Sequence, residues 1–71
     1  MTNAIIRNRH IVFISEGGSE TSTTRAQLEK DTAELVHRIE TKIKSESQLA
    51  IARETLALYG RALELAKANG L

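Results

Sequence analysis

His10 and His37 are the residues of this 71-residue chain best suited to proton transfer or metal ligation. They lie far apart in the sequence and form no ligand pair at metal spacing. No serine or threonine is set beside either one as a nucleophile with its base. Gly17-Gly18 is a bare pair, without the lysine or further glycines of a phosphate-cradling loop. Carboxylates are plentiful, but they alternate with lysine and arginine as surface pairs on helices do. A chain this short also leaves little room for a pocket of enzymatic size. These residues predict no enzyme, no catalytic residue, no metal, no cofactor and no small-molecule ligand. The chemistry left is recognition. Arg7, Asn8 and Arg9 are the candidate contacts to DNA, since residues 1–14 hold two arginines and no acid.

The chain as a whole bounds what must position these groups. Seventy-one residues make a single domain, 1–71, whose solitary core is marginal. There is no cysteine, so disulfides and thiolate metal sites are excluded and a reducing, cytoplasmic setting is expected. Oligomerisation is the remaining source of stability. The longest apolar runs, Ile11–Ile14 and Leu56–Tyr59, fall far short of the roughly 20 residues that span a bilayer. No apolar h-region follows the N-terminal arginines, which predicts neither a signal peptide nor a membrane partner. A net charge of +1 points to no class of partner. Phe13 and Tyr59 are the only aromatics, too few to stack single-stranded bases.

Three segments follow along the chain. Residues 4–14 are rich in β-branched side chains and read as a strand. Residues 15–23, SEGGSETST, read as a flexible linker. From Thr24 no glycine occurs before Gly60 and no proline occurs at all, so the rest reads as helix. Thr24-Arg25-Ala26-Gln27 fits a capping box and starts helix 1, about 24–44. Ser45-Glu46-Ser47-Gln48 fits the same box and starts helix 2, about 46–69, which Asn69-Gly70 closes.

Leu28, Thr32, Leu35, Val36, Ile39 and Ile43 form a stripe about 100° wide, as a core-facing helix requires. On helix 2, Leu49, Ala52, Leu56, Tyr59, Leu63 and Ala66 form one row, and Ile51, Leu58, Ala62 and Leu65 a second. Together the rows cover roughly 200°. A hairpin partner covers about half of that arc. A single zipper helix through Leu28, Leu35, Leu49, Leu56 and Leu63 is the rival. Its seam would swerve where Lys42, Lys44 and the second cap interrupt it, so two antiparallel helices are expected.

The strand needs a neighbour. Ile11, Val12, Phe13 and Ile14 are apolar on both faces and want cover on both sides. An internal hairpin turning at Arg7-Asn8-Arg9 leaves strands of three or four residues, which are marginal. A two-fold dimer pairing the strand with its own copy is therefore expected. The fold class is mainly α: an N-terminal strand, then an antiparallel helical hairpin, dimerised through an intermolecular β-ribbon and helix packing. The interface would take Ile11, Val12, Phe13, Ile14, Leu56 and Leu63. Ile51, Leu58, Tyr59 and Leu65 remain as anchors for another protein.

The order strand–helix–helix, with Arg7 and Arg9 on one face of the strand, resembles the ribbon-helix-helix family. That resemblance implies a DNA-binding transcriptional regulator, and it is the second reading. Ile11–Ile14 lack the alternate polar face of a groove-reading strand, and the helical part is close to charge balance. The Ile5–Ile14 strand, the helix starts at Thr24 and Ser45 and the Leu49–Ala66 stripe are similar in layout to phage-encoded anti-activators of bacterial quorum sensing, small dimers of helical hairpins. This resemblance implies a homodimer that binds a host regulatory protein, a transcription activator, and blocks its DNA-binding surface. The compartment would then be the host bacterial cytoplasm.

Overall fold

Asn8 and Arg9 both adopt positive φ, 51° and 65°. Two consecutive left-handed residues make a type I′ turn, whose twist matches that of a two-stranded ribbon. The computed structural model describes residues 2–71, and in it this turn folds the expected strand 4–14 back on itself. The chain order is β1 (Asn3–Arg7), β2 (His10–Ile14), β3 (Glu20–Thr23), α1 (Arg25–Thr41) and α2 (Glu46–Ala68). β1 and β2 are antiparallel, with Arg7 opposite His10 and Ile5 opposite Val12.

The expected linker 15–23 is not a linker. Ser15–Ser19 forms a tight loop: the Gly18 N–H donates to the Ser15 carbonyl (2.9 Å) and the Ser15 N–H to the Ser19 carbonyl (3.0 Å). Gly18 sits at φ +86°, which only glycine adopts without strain. The loop returns the chain as β3, which pairs antiparallel with β2 and sets Thr21 opposite Phe13. The sheet order is β1-β2-β3. Hence both edges of β2 are occupied within the chain, and Ile11–Ile14 have no free edge to pair with a copy of themselves. The ribbon expected from the sequence is corrected on this point. The third strand also removes the objection that a lone hairpin is marginal.

The register sorts the side chains onto two faces. Ala4, Ile6, Ile11 and Phe13 share one, and pack with Leu28, Ala62, Ala66, Tyr59, Leu63 and Leu71. Ile11, Ala62 and Ala66 are fully buried and Leu28 is 1% exposed. Alanines at the contact let α2 approach the sheet closely. Ile5, Val12 and Ile14 lie on the opposite, helix-free face. Val12 is nevertheless only 3% exposed. Arg7, beside His10, and Glu20, beside Ile14, lie on that face at opposite corners around Val12. Their ion pair, 2.7 Å, spans the diagonal above it.

α1 and α2 are separate helices, which excludes the single zipper. The Thr24 side chain accepts from the Gln27 N–H at 3.2 Å, as a cap should. The reciprocal half of the box does not form, because the Gln27 side chain donates to Asp31 instead (3.0 Å). Ser45 stands at the start of α2 but makes no side-chain cap. Its hydroxyl meets that of Ser47 at 2.9 Å. At the far end Leu71 N–H reaches the Ala66 carbonyl (2.9 Å) and Gly70 N–H the Lys67 carbonyl (3.1 Å). With Gly70 at φ +75° this is a Schellman closure, and it folds Leu71 back onto the core. The Arg25 guanidinium donates to the Leu71 carbonyl and ties the start of α1 to that closure. Among the described residues no helix is long and apolar enough to cross a membrane.

Candidate interaction surface

The helices outrun the sheet. The 23 residues of α2 extend about 34 Å, whereas a five-residue strand covers about 17 Å. The sheet packs on the half of the hairpin that carries Tyr59, Ala62, Ala66 and Leu28. Toward the α1–α2 connection the two helices have only each other. Here a groove of about 480 Å³ opens between them, with Leu35, Ile43, Ile51, Ala52, Thr55 and Tyr59 along it. Asp31, Glu34, Arg38 and Gln48 complete the lining. The groove continues from the sheet, because Tyr59 belongs to both. Its ring meets that of Phe13 at 5.7 Å, tilted by 47°.

Ile51 is the outstanding residue of this groove, 64% exposed. On the α2 wheel it lies on the row of Leu58. An exposed isoleucine beside a partly buried tyrosine and leucine offers an apolar anchor site flanked by charges of both signs. That arrangement suits an amphipathic helix laid into the seam.

The other expected partner contacts divide. Tyr59 is half-buried and lines the groove with Ile51. Leu58 and Leu65 are half-buried at a different place, a cleft of about 330 Å³ shared with Thr2, Asn3, Ala4 and Arg61 beside β1. The four anchors therefore line two separate hollows. Of the residues expected in a dimer interface, Ile11 and Val12 are buried within the chain, Phe13 packs on Tyr59, and Leu63 packs against the core. Ile14 and Leu56 are half-buried.

The candidate DNA contacts are also parted. Arg7 is held by Glu20. Asn8 and Arg9 form the exposed tip of the β1–β2 turn. The Asn8 carbonyl accepts from His10 Nδ1 at 2.9 Å, which gives His10 a structural part in the turn. Among the described residues no group of His, Cys, Asp and Glu is arranged to hold a metal ion.

Sequence reasoning missed Thr55 and Gln48 as groove residues, and the role of Glu20; Ala52 was visible only as a member of the α2 row. Leu35 and Ile43 were visible in the α1 stripe, but the stripe does not say which of its members the sheet leaves uncovered. In comparisons with family models, with curated proteins and with solved structures, nothing matches the chain.

Proposed function

We propose that this chain is a small, non-enzymatic protein-binding module that works as a homodimer and inhibits or modulates a bacterial regulatory protein by occupying it. The observation that carries the reading is the open seam of the helical hairpin, lined by Leu35, Ile43 and Tyr59 and by Ile51, which is 64% exposed. A partner that buries it gains about 1–2 kcal/mol, roughly two thirds of the value of burying a whole aliphatic side chain. The likeness in size and hairpin layout to phage-encoded anti-activators supports a transcription regulator as the target and the host bacterial cytoplasm as the setting.

Duplex DNA is the second reading. It is favoured by Arg9, exposed at the turn tip with no ion-pair partner among the described residues. It is weakened by the Arg7–Glu20 pair, which places an acid among the groups that would face phosphate.

The test uses the whole chain as bait in a bacterial lysate beside an Ile51→Glu variant. Ile51 is too exposed for the substitution to unfold the protein. The reading expects a stoichiometric captured protein that the variant loses. Capture that is indifferent to Ile51, together with a DNA mobility shift that falls steeply with salt and disappears in Arg9→Ala, would replace it by the DNA reading.

A further inference from the structure

The two edges of the sheet differ in kind. β3 carries Glu20-Thr21-Ser22-Thr23, short and polar, the usual way an edge is made unattractive to other strands. β1 carries Ala4-Ile5-Ile6 and has a neighbour on one side only. We infer that the free edge of β1 is the homodimer contact, pairing antiparallel with β1 of a second copy about a two-fold axis at Ile5. The number of chains rests on the homodimeric reading above; the groove and its target are not involved.

The hydrogen-bond parity sets the register. A two-residue turn makes its flanking residues, Arg7 and His10, a hydrogen-bonded pair, so Asn3, Ile5 and Arg7 bond toward β2. The bond from the Ser15 N–H to the Ser19 carbonyl agrees, since it continues the alternation by which Ile11 and Phe13 bond toward β3. Ala4 and Ile6 therefore turn their N–H and C=O groups outward. Around a two-fold axis at Ile5, Ala4 meets Ile6 of the copy and Ile6 meets its Ala4, which closes four hydrogen bonds. All five residues of β1 are then matched. Arg7 falls opposite Asn3, so no like charges oppose. A slip of two residues shortens the overlap and sets Ile5 against Asn3 or Arg7.

The surroundings fit the same occupant. On the helix side Leu58 and Leu65 line the 330 Å³ cleft that runs beside Asn3 and Ala4, where the copy's Ala4 and Ile6 would lie. On the other side the two Ile5 side chains would meet and extend the Ile5–Val12–Ile14 strip. Monomers of 7.8 kDa expose about 4,400 Å². This chain exposes 5219 Å². The excess, about 800 Å², goes with the elongated shape, 38 × 26 × 15 Å, and is of the order that one partner buries in a standard interface. The product is one six-stranded sheet with a polar β3 at each end.

The absence of cysteine makes the test direct. At a non-hydrogen-bonded pair the Cα atoms stand about 4.5 Å apart, within disulfide range. Ile5→Cys should therefore convert to a covalent dimer under mild oxidation, while Ser22→Cys on β3 should not. Sedimentation should give twice the mass of 7.8 kDa. Ala4→Pro removes an outward N–H and also adds ring atoms at a position that packs on the core; it should sediment as a monomer, with far-UV circular dichroism checking that the fold is kept. A monomer at every concentration overturns both the dimer and this edge. A dimer in which Ile5→Cys does not cross-link, or in which Ser22→Cys cross-links as readily, overturns the β1 edge alone.

Discussion

Leu28→Ala is the sharpest probe of how the groove is held in place. Leu28 is 1% exposed, and with Ile11 it is one of the two largest fully buried side chains. It is the residue by which α1 enters the core between the sheet and α2. Truncating a buried leucine to alanine costs about 3–5 kcal/mol, and more where the site cannot collapse. Two of the buried neighbours, Ala62 and Ala66, are too short to reach into the void. We therefore expect a loss of about 4 kcal/mol. A folded chain of this length has about 4–11 kcal/mol in all, so the variant stands at the limit of folding. With a urea slope of about 1 kcal/mol/M, the midpoint should fall by about 4 M. Far-UV circular dichroism during urea titration measures this, at two protein concentrations to separate dissociation from unfolding. Ile51→Ala in parallel should change stability by less than about 0.5 kcal/mol. A cost below about 1 kcal/mol at Leu28, or equal costs at both positions, would refute the assignment of core and open surface.

Three further outcomes follow from local geometry. Gly60→Ala should stabilise by about 1 kcal/mol, raising the melting temperature by about 4–8 °C, because a Cβ there meets no atom within 4 Å. Arg9→Gly should also stabilise, by about 1 kcal/mol in thermal or urea unfolding, since Arg9 sits at φ 65° where glycine carries no penalty. Thr24→Ala should cost about 1 kcal/mol and Ser45→Ala almost nothing, because only the threonine caps its helix. Equal effects at the two serine and threonine positions would contradict that difference.

The helical half of this protein was legible in its sequence because its signals are local. Helix starts at Thr24 and Ser45, an end at Asn69-Gly70, and a 3.6-residue period in Leu28–Ile43 and Leu49–Ala66 all act within a turn or two. They produced α1 and α2 close to their expected bounds, and the surplus apolar arc of α2 was visible as well. The sheet was not legible in the same way. Its first turn at Arg7-Asn8-Arg9 could be named only as the less favoured alternative, because it uses Arg9 at positive φ, where composition favours glycine, and because strands so short looked marginal without a third. β3 is a polar run whose pairing with β2 supplies what its own residues lack; Thr21 and Thr23, alternating on one face, were its only sign.

The site followed the same division. Composition and spacing pointed to recognition as the chemistry to look for, and showed that α2 carried more apolar surface than one helix covers. Which part of that surface stays open was decided by the tertiary structure. A five-residue strand is half the length of α2, so the sheet covers the Ala62–Ala66 end and leaves Ile51 outside. Apolar residues at equivalent helical positions are identical in pattern; only the reach of the element packed against them separates core from surface.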